Sequence, residues 1–136
     1  MNWLFKEEPT HYSFENLVKD GRTRWSGVKN ALAQKHLRGV RRGDRILYYH
    51  TGDVKAVVGM ARAAGDPFPD PDDETGRRVA VDIVPDRSLE RPVALGEIKK
   101  QKTLAQFPLV RISRLSVMPV DDREWDLILK LSRGSA

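Results

Sequence analysis

The segment with the most suggestive chemistry runs from Trp25 to Asn30 and reads Trp-Ser-Gly-Val-Lys-Asn. A tryptophan is costly to leave in water, so a Trp in a polar loop needs a partner. It can anchor the loop over the core, or it can be a stacking platform for a flat ligand. In the second case Asn30 can donate to and accept from a base edge, and Gly27 allows close backbone approach. The segment alone leaves both interpretations open.

Cationic side chains cluster around this segment and beyond it. The chain has 24 Lys and Arg residues against 19 Asp and Glu, for a net charge of +5. Such patches are either solvated faces or positions for phosphates, because neutralising phosphates releases condensed counterions. Charge alone favours neither. The clusters comprise Arg22 and Arg24, then Arg38, Arg41, Arg42 and Arg45, then Lys99, Lys100 and Lys102.

The sequence lacks the residue patterns that metal binding and phosphate-loop chemistry require. His11, His36 and His50 have no spacing typical of metal ligands, and the chain has no cysteine. No glycine-rich phosphate loop is present, and the acidic run at residues 70–74 is interpreted as a solvated loop. We therefore expect no metal and no cofactor. The N-terminus becomes charged too early for a signal peptide and no apolar run suits a membrane, so we expect a cytoplasmic protein without membrane contact.

The elements that must position these residues follow from hydrophobic periodicity and turn signals. Ser13 is a predicted N-cap and Gly39 a predicted helix stop, whereas the polar segment 65–76 is expected to be the least ordered. Because strands and helices do not alternate strictly, we predict an α+β domain with a curled mixed sheet or barrel and helices outside. Strands are predicted over residues 2–6, 45–50, 54–63, 78–84 and 109–117, and helices over 14–19, 31–37, 95–99 and from 121–122 onward.

Five motifs in order resemble the EVE domain, over nearly the whole chain. The resemblance implies one domain over residues 1–136 with a PUA-like fold, a twisted mixed β-barrel with flanking helices. We expect it to be a monomer. The motifs are Lys6-Glu7-Glu8-Pro9, Trp25-Ser26-Gly27-Val28-Lys29-Asn30, Gly43-Asp44 before Leu47-Tyr48-Tyr49-His50, Val57-Val58-Gly59 and Arg114-Leu115-Ser116-Val117-Met118-Pro119.

EVE domains are related to YTH readers of methylated adenine and to ASCH domains, so the resemblance implies a reader of a modified nucleobase in DNA or RNA. A modified cytosine in DNA is the first expectation, held in a pocket after leaving the helix. The implied base-pocket residues are Lys6, Glu8, Trp25, Ser26, Asn30, Tyr49 and His50. The implied phosphate-binding residues are Arg24, Lys29, Arg38, Arg41 and Arg42.

Two departures from the family pattern affect the expected ligand. Glu7 replaces a serine and adds a carboxylate near the site, and residues 31–34 are less polar than in many members. Two alternative functions stay open. One is a small hydrolase of a modified nucleoside with Lys6 and Glu8 as its acid and base, and the other is a general RNA-binding module. For the reader, we expect Trp25→Ala to abolish binding without unfolding the protein.

Overall fold

The computed structural model describes residues 1–134 and contains seven strands and five α-helices in that range. One short 3-10 turn, at Lys102–Leu104, lies between the third and fourth helices. The strands are β1 Asn2–Glu7, β2 Thr23–Trp25, β3 Arg45–His50, β4 Ala56–Ala63, β5 Phe68–Pro69, β6 Val79–Ala94 and β7 Val117–Val120. The helices are α1 Phe14–Asp20, α2 Ala31–Arg38, α3 Leu95–Lys99, α4 Pro108–Arg111 and α5 Asp122–Ser132.

The strands form one mixed sheet with the order β2-β6-β4-β3-β1-β7, and β5 pairs with β6 beside it. β1 and β3 are parallel, while the other pairs are antiparallel. Irregular registers in the β3–β4 and β4–β6 pairs accompany the curvature of the sheet. The result is a curled half-barrel with flanking helices, which confirms the predicted α+β architecture.

The helix ends follow the predicted capping chemistry. The Ser13 hydroxyl accepts a hydrogen bond from the Asn16 backbone N–H, and the Asn16 side chain accepts one from the Ser13 N–H. Gly39 ends α2, as expected. Asp121 caps α5 in the same way as Ser13 caps α1. None of the helices within residues 1–134 is long and apolar enough to cross a membrane.

Helix α1 lies directly on the sheet at Gly59. A Cβ atom at Gly59 would stand 2.5 Å from the Phe14 ring, which is closer than packed atoms approach. Phe14 and Leu17 are buried, so one face of α1 closes the core over β4. This contact fixes the start of α1 and therefore the loop that precedes it.

Two predicted elements differ from the structure. The predicted strand over residues 109–117 is wrong, because Pro108 begins the short helix α4 and only residues from Val117 pair with β1. The predicted strand over residues 78–84 is much too short, since β6 continues through irregular registers to Ala94. The spacing of apolar residues within one predicted strand reveals neither the helix that starts at Pro108 nor the continuation of β6 through its irregular registers.

The segment at residues 65–76, which includes β5, is organised by two aspartates. The Asp70 carboxylate is buried and accepts the Asp72 N–H at 2.8 Å. The Asp73 carboxylate accepts backbone N–H bonds from Thr75, Arg77 and Arg78. Hydrogen bonds from the Arg78 N–H and the Thr75 hydroxyl lower the pKa of Asp73 to about 2. Asp70 thus departs from the expected solvated acidic run, whereas Asp72 and Glu74 are exposed as expected.

Candidate functional site

Neighbouring residues at the end of β1 face two different cavities. Successive side chains of a strand point to opposite faces, and the parallel register places Lys6 beside Tyr49 and Glu7 beside His50. Lys6 and Tyr49 line one cavity, whereas Glu7 lines another. The seven side chains expected in a single base pocket are therefore distributed over separate places.

The first cavity, here called the Trp25 pocket, has a volume of about 160 Å³. This is room for one planar ring rather than for a larger ligand. It combines aromatic rings, a carboxylate, three hydroxyls and a guanidinium. Its lining residues are Glu7, His11, Tyr12, Thr23, Arg24, Trp25 and Ser26.

Trp25 is a wall of this pocket and at the same time part of the core. It ends β2 instead of lying in a loop, and it is only 6% exposed. Its ring centroid lies 5.2 Å from that of Phe5 and 5.5 Å from that of Tyr48, which it meets edge to face. The anchor interpretation therefore describes most of the indole, and little of its surface is left for a ligand.

Glu7 supplies the negative charge of the pocket. One carboxylate oxygen accepts the Glu8 backbone N–H at 2.9 Å, and the other lies 3.1 Å from His11 Nδ1. A carboxylate can accept about four hydrogen bonds, so acceptor capacity remains for a ligand. Since Tyr12, Trp25 and Arg24 surround it, the pocket suits a planar ring that carries an amino group.

The acidic loop holds the Trp25 segment in place. Ser26 Oγ donates to Asp72 at 2.9 Å, and the Gly27 N–H donates to Asp70 at 2.8 Å. Gly27 has φ 72°, a left-handed conformation that favours glycine. The glycine thus serves the turn after β2, whereas the sequence suggested close approach to a ligand.

The side chains of Asn30 and His50 each accept a hydrogen bond from the first turn of a helix. Asn30 caps α2, and its side-chain oxygen accepts the Ala33 N–H at 2.9 Å. His50 Nε2 accepts the Phe14 N–H at 3.0 Å, so its imidazole is neutral there. Burial lowers the pKa of His50, which favours this neutral form. Neither residue lines the Trp25 pocket.

Tyr48 supports the same pocket from behind. Its hydroxyl donates to the Tyr12 backbone carbonyl at 2.6 Å, and its ring lies edge to face with His50 at 5.7 Å between centroids. Tyr12 in turn donates its hydroxyl to Asp20 at 2.7 Å. The loop wall of the pocket is therefore fixed from β3 and from the end of α1.

The second cavity, here called the Lys6 pocket, has a volume of about 270 Å³. Lys6 Nζ donates to the Ser113 carbonyl at 2.7 Å and lies 5.8 Å from the centre of the Tyr49 ring. Burial lowers the pKa of Lys6. The lining residues are Lys6, Tyr49, Thr51, Gly52, Lys55, Leu95, Lys99, Leu109, Val110 and Ser113.

Glu8 lies at the edge of the Lys6 pocket. Its carboxylate accepts a long hydrogen bond of 3.4 Å from the Thr51 hydroxyl and stands against Gly52. Within residues 1–134 no ion pair joins Lys6 to Glu8. The two residues are thus near one another in the fold without forming the acid–base pair that the hydrolase alternative would use.

The basic residues expected to bind phosphate occupy two areas. Arg24 lies at the Trp25 pocket and Lys29 in the turn after it, both exposed. Arg38 donates to the Arg77 carbonyl, and Arg41 donates to the carbonyls of Arg38 and Val40. Arg42 is also exposed beside this second group. The guanidinium groups at the end of α2 are therefore partly committed to backbone carbonyls.

Sequence reasoning did not assign His11, Tyr12 and Thr23 to the site, and it noted Glu7 only as a departure. The alternation of Phe5 and Glu7 along β1 places Glu7 on the face of the core aromatics, a signal that was available. The loop residues carried no such signal. Within residues 1–134 no group of three or more His, Cys, Asp or Glu side chains is arranged to hold a metal.

Comparisons with known proteins identify relatives across the whole fold. The NMR structure of a Rhodopseudomonas palustris protein is 40% identical with a TM-score of 0.93, covering 99% of this chain and 94% of that one. An uncharacterized Schizosaccharomyces pombe protein is 30% identical across 91% of this chain, which spans 60% of that relative's length. The crystal structure of human THYN1 in complex with DNA containing 5-methylcytosine has a TM-score of 0.87 at 24% identity, covering 96% of each chain.

The family model agrees with these relatives. The model of the EVE domain matches residues 1–131, which is nearly the entire chain. The match includes all five motifs that suggested the family and every residue of both pockets. This chain belongs to the EVE domain family.

Proposed function

We propose that this protein binds DNA and holds a modified cytosine in the Trp25 pocket. The observation that carries the proposal is a cavity of single-ring size with a carboxylate beside aromatic walls. Human THYN1, which shares the fold, has been crystallised with DNA containing 5-methylcytosine. A base must leave the stack to enter such a cavity, since it is unreachable inside a duplex.

Glu7 gives the pocket a means of distinguishing cytosine from thymine. The exocyclic amino group of cytosine donates hydrogen bonds, which a carboxylate oxygen can accept. Thymine carries a carbonyl oxygen at the same position, which a carboxylate repels. The departure of Glu7 from the family serine is thus favourable for a ligand with an amino group, although it disfavours a phosphate at the same point.

The basic residues at and around the pocket are suited to the backbone of the DNA. Arg24 lines the cavity and Lys29 lies two residues before the start of α2. We assign these two, with Arg38, Arg41 and Arg42, to phosphate contacts that position the strand without reading its sequence. Such contacts weaken as salt rises, because counterions compete for the phosphates.

The test is a binding titration at fixed salt with one duplex that carries 5-methylcytosine, cytosine or thymine at a single position. Burial of the added methyl group contributes about 0.8 kcal/mol, so the methylated duplex should bind about fourfold more tightly than the unmodified one. Glu7→Gln should weaken binding of the methylated duplex about tenfold, within the usual cost of losing a base contact of about 1–3 kcal/mol.

Glu90→Gln is the matched control, because it removes the same charge from an exposed position on β6. Its binding should equal that of the unchanged protein. Equal affinity of the Glu7→Gln and Glu90→Gln variants for the methylated duplex would contradict the role of Glu7. The same sequence as single-stranded RNA serves as a second arm, and tighter binding there would favour the RNA-binding alternative.

A further inference from the structure

The Lys6 pocket contains three lysines from three different elements. Lys6 comes from β1, Lys55 from the turn before β4 and Lys99 from the end of α3. No carboxylate is among the lining residues. Within residues 1–134 none of the three ammonium groups lies at ion-pair distance from an Asp or Glu. Converging charges of one sign without a counter-charge raise the local concentration of anions.

Lys6 is fixed in a position that leaves donors for a ligand. Its ammonium group uses one hydrogen bond for the Ser113 carbonyl, at 2.7 Å. An ammonium group has three N–H donors, so two remain for an anion. The charge is partly withdrawn from water, and an anion placed beside it would restore favourable contacts that burial removes. Lysine binds phosphate as a point charge in this manner.

The floor of the cavity is apolar. Leu95, Leu109 and Val110 line it together with Tyr49, whose ring is almost completely buried. Inorganic phosphate would leave this surface uncovered, whereas an organic phosphate would cover it with its body. At about 270 Å³ the cavity accommodates a small body.

We propose that the Lys6 pocket is a second binding site, which takes a phosphate monoester with a small organic body, such as a mononucleotide or the phosphorylated end of a strand. The phosphate lies among Lys6, Lys55 and Lys99, and the body covers the apolar floor. The Glu8 carboxylate lies beside Thr51 and Gly52, so it borders the pocket without being one of its lining residues.

This site is independent of the proposed function. The two pockets share no lining residue, and they lie at Lys6 and Glu7, which point to opposite faces of β1. Failure of cytosine recognition in the Trp25 pocket would leave the second site untouched. Thymidine 5′-monophosphate is a suitable probe, because its base lacks the amino group that Glu7 accepts.

The experiment is calorimetric titration of the full chain with thymidine 5′-monophosphate, thymidine and inorganic phosphate. We expect saturable binding of the monophosphate, no binding of thymidine, and at least tenfold weaker binding of inorganic phosphate. Lys6→Met should weaken binding of the monophosphate at least tenfold. Lys99→Gln changes an exposed residue and should weaken it severalfold, so it carries the test if Lys6→Met fails to fold. Lys130→Gln, an exposed charge-matched control on α5, should change nothing.

A 5′-phosphorylated oligothymidine distinguishes the source of the phosphate. If it binds through Lys6 while the free monophosphate does not, the ligand is a strand end. If the free monophosphate binds, the ligand is a small molecule. Binding of neither probe would overturn the proposal. Equal affinity of the Lys6→Met, Lys99→Gln and Lys130→Gln variants for the probe would also overturn it. Equally tight binding of inorganic phosphate would overturn the role of the apolar floor.

Discussion

The Trp25 pocket and the Lys6 pocket are lined by the neighbouring β1 residues Glu7 and Lys6, yet they differ in size, charge and lining. The Trp25 pocket is small, and its Trp25 wall is a core residue packed against Phe5 and Tyr48. The Lys6 pocket is larger, with lysines around an apolar floor and no acid among its lining residues. One cavity is shaped by the hydrophobic core, the other by charges around its opening.

This difference indicates how each cavity can discriminate between ligands. Walls that belong to a packed core move little, because interiors are close-packed. The Trp25 pocket can therefore select a ring by its shape and by the hydrogen-bonding groups on its edge. The lysine side chains of the Lys6 pocket select charge with less geometric demand, since an ammonium is a compact charge on a flexible stem.

The largest expected effect tests whether Trp25 belongs to the core. Trp25→Ala should lower the free energy of unfolding by about 3–5 kcal/mol, the usual cost of deleting a buried large aromatic side chain. Lys6→Met should cost about 1 kcal/mol or less, since it removes one hydrogen bond at the surface. Urea denaturation of both variants measures the difference. Similar small losses in the two variants would refute the proposed contrast between the pockets.

This expectation corrects the one derived from the sequence alone. There, Trp25→Ala was expected to abolish binding without unfolding the protein. A residue that is 6% exposed and in contact with two core rings cannot be removed so cleanly. Loss of binding in that variant would not separate recognition from folding, and Glu7→Gln is therefore the sharper change.

The sequence predicted much of the fold because many of its signals are local. Ser13 and Asp121 mark helix starts through their own side chains, and apolar runs next to turn residues identify the strands 2–6 and 45–50 closely. The short strand β2 was missed, since its three residues gain their partners only from distant β6. The strand predicted over 109–117 failed because its apolar residues also fit a proline-initiated helix.

The site was less predictable because it depends on which face each residue occupies. Trp25 and Ser26 line the predicted pocket, yet Lys6 and Tyr49 face the other cavity. The parallel register of β1 with β3 decides this, and a register between distant strands is absent from local sequence patterns. The role of Asp70 in holding Gly27 likewise spans 43 positions of the chain.

A smaller effect concerns the support of the Trp25 pocket by His50. Burial lowers the pKa of His50 below its usual value of 6.5. The negative charges of Glu15 and Glu8 raise this pKa, but their effect is smaller than that of burial. The unfolded chain therefore takes up the proton at a higher pH than the folded protein does. The stability that neutral His50 provides is complete above about pH 6.5 and is lost as the pH falls through the lowered pKa.

The measurement is the free energy of unfolding between pH 7.5 and pH 5 for the unchanged protein and for His50→Gln. Glutamine can accept the Phe14 N–H without titrating, so the variant should lose less stability as the pH falls. Every other ionisable residue is the same in both proteins, so the comparison isolates the contribution of His50. Parallel curves for the two proteins would show that His50 does not support the start of α1 in this way.

The central claim, that the Trp25 pocket holds the modified base, is tested most directly by NMR titration of the isotope-labelled protein with the methylated duplex. The largest shift changes should occur at the amides of Glu7, His11, Tyr12 and residues 23–26 and at the Trp25 indole N–H. The amides of Lys55, Lys99 and Val110 should change little. Changes centred on the Lys6 pocket, with the Trp25 pocket unaffected at saturation, would contradict the account.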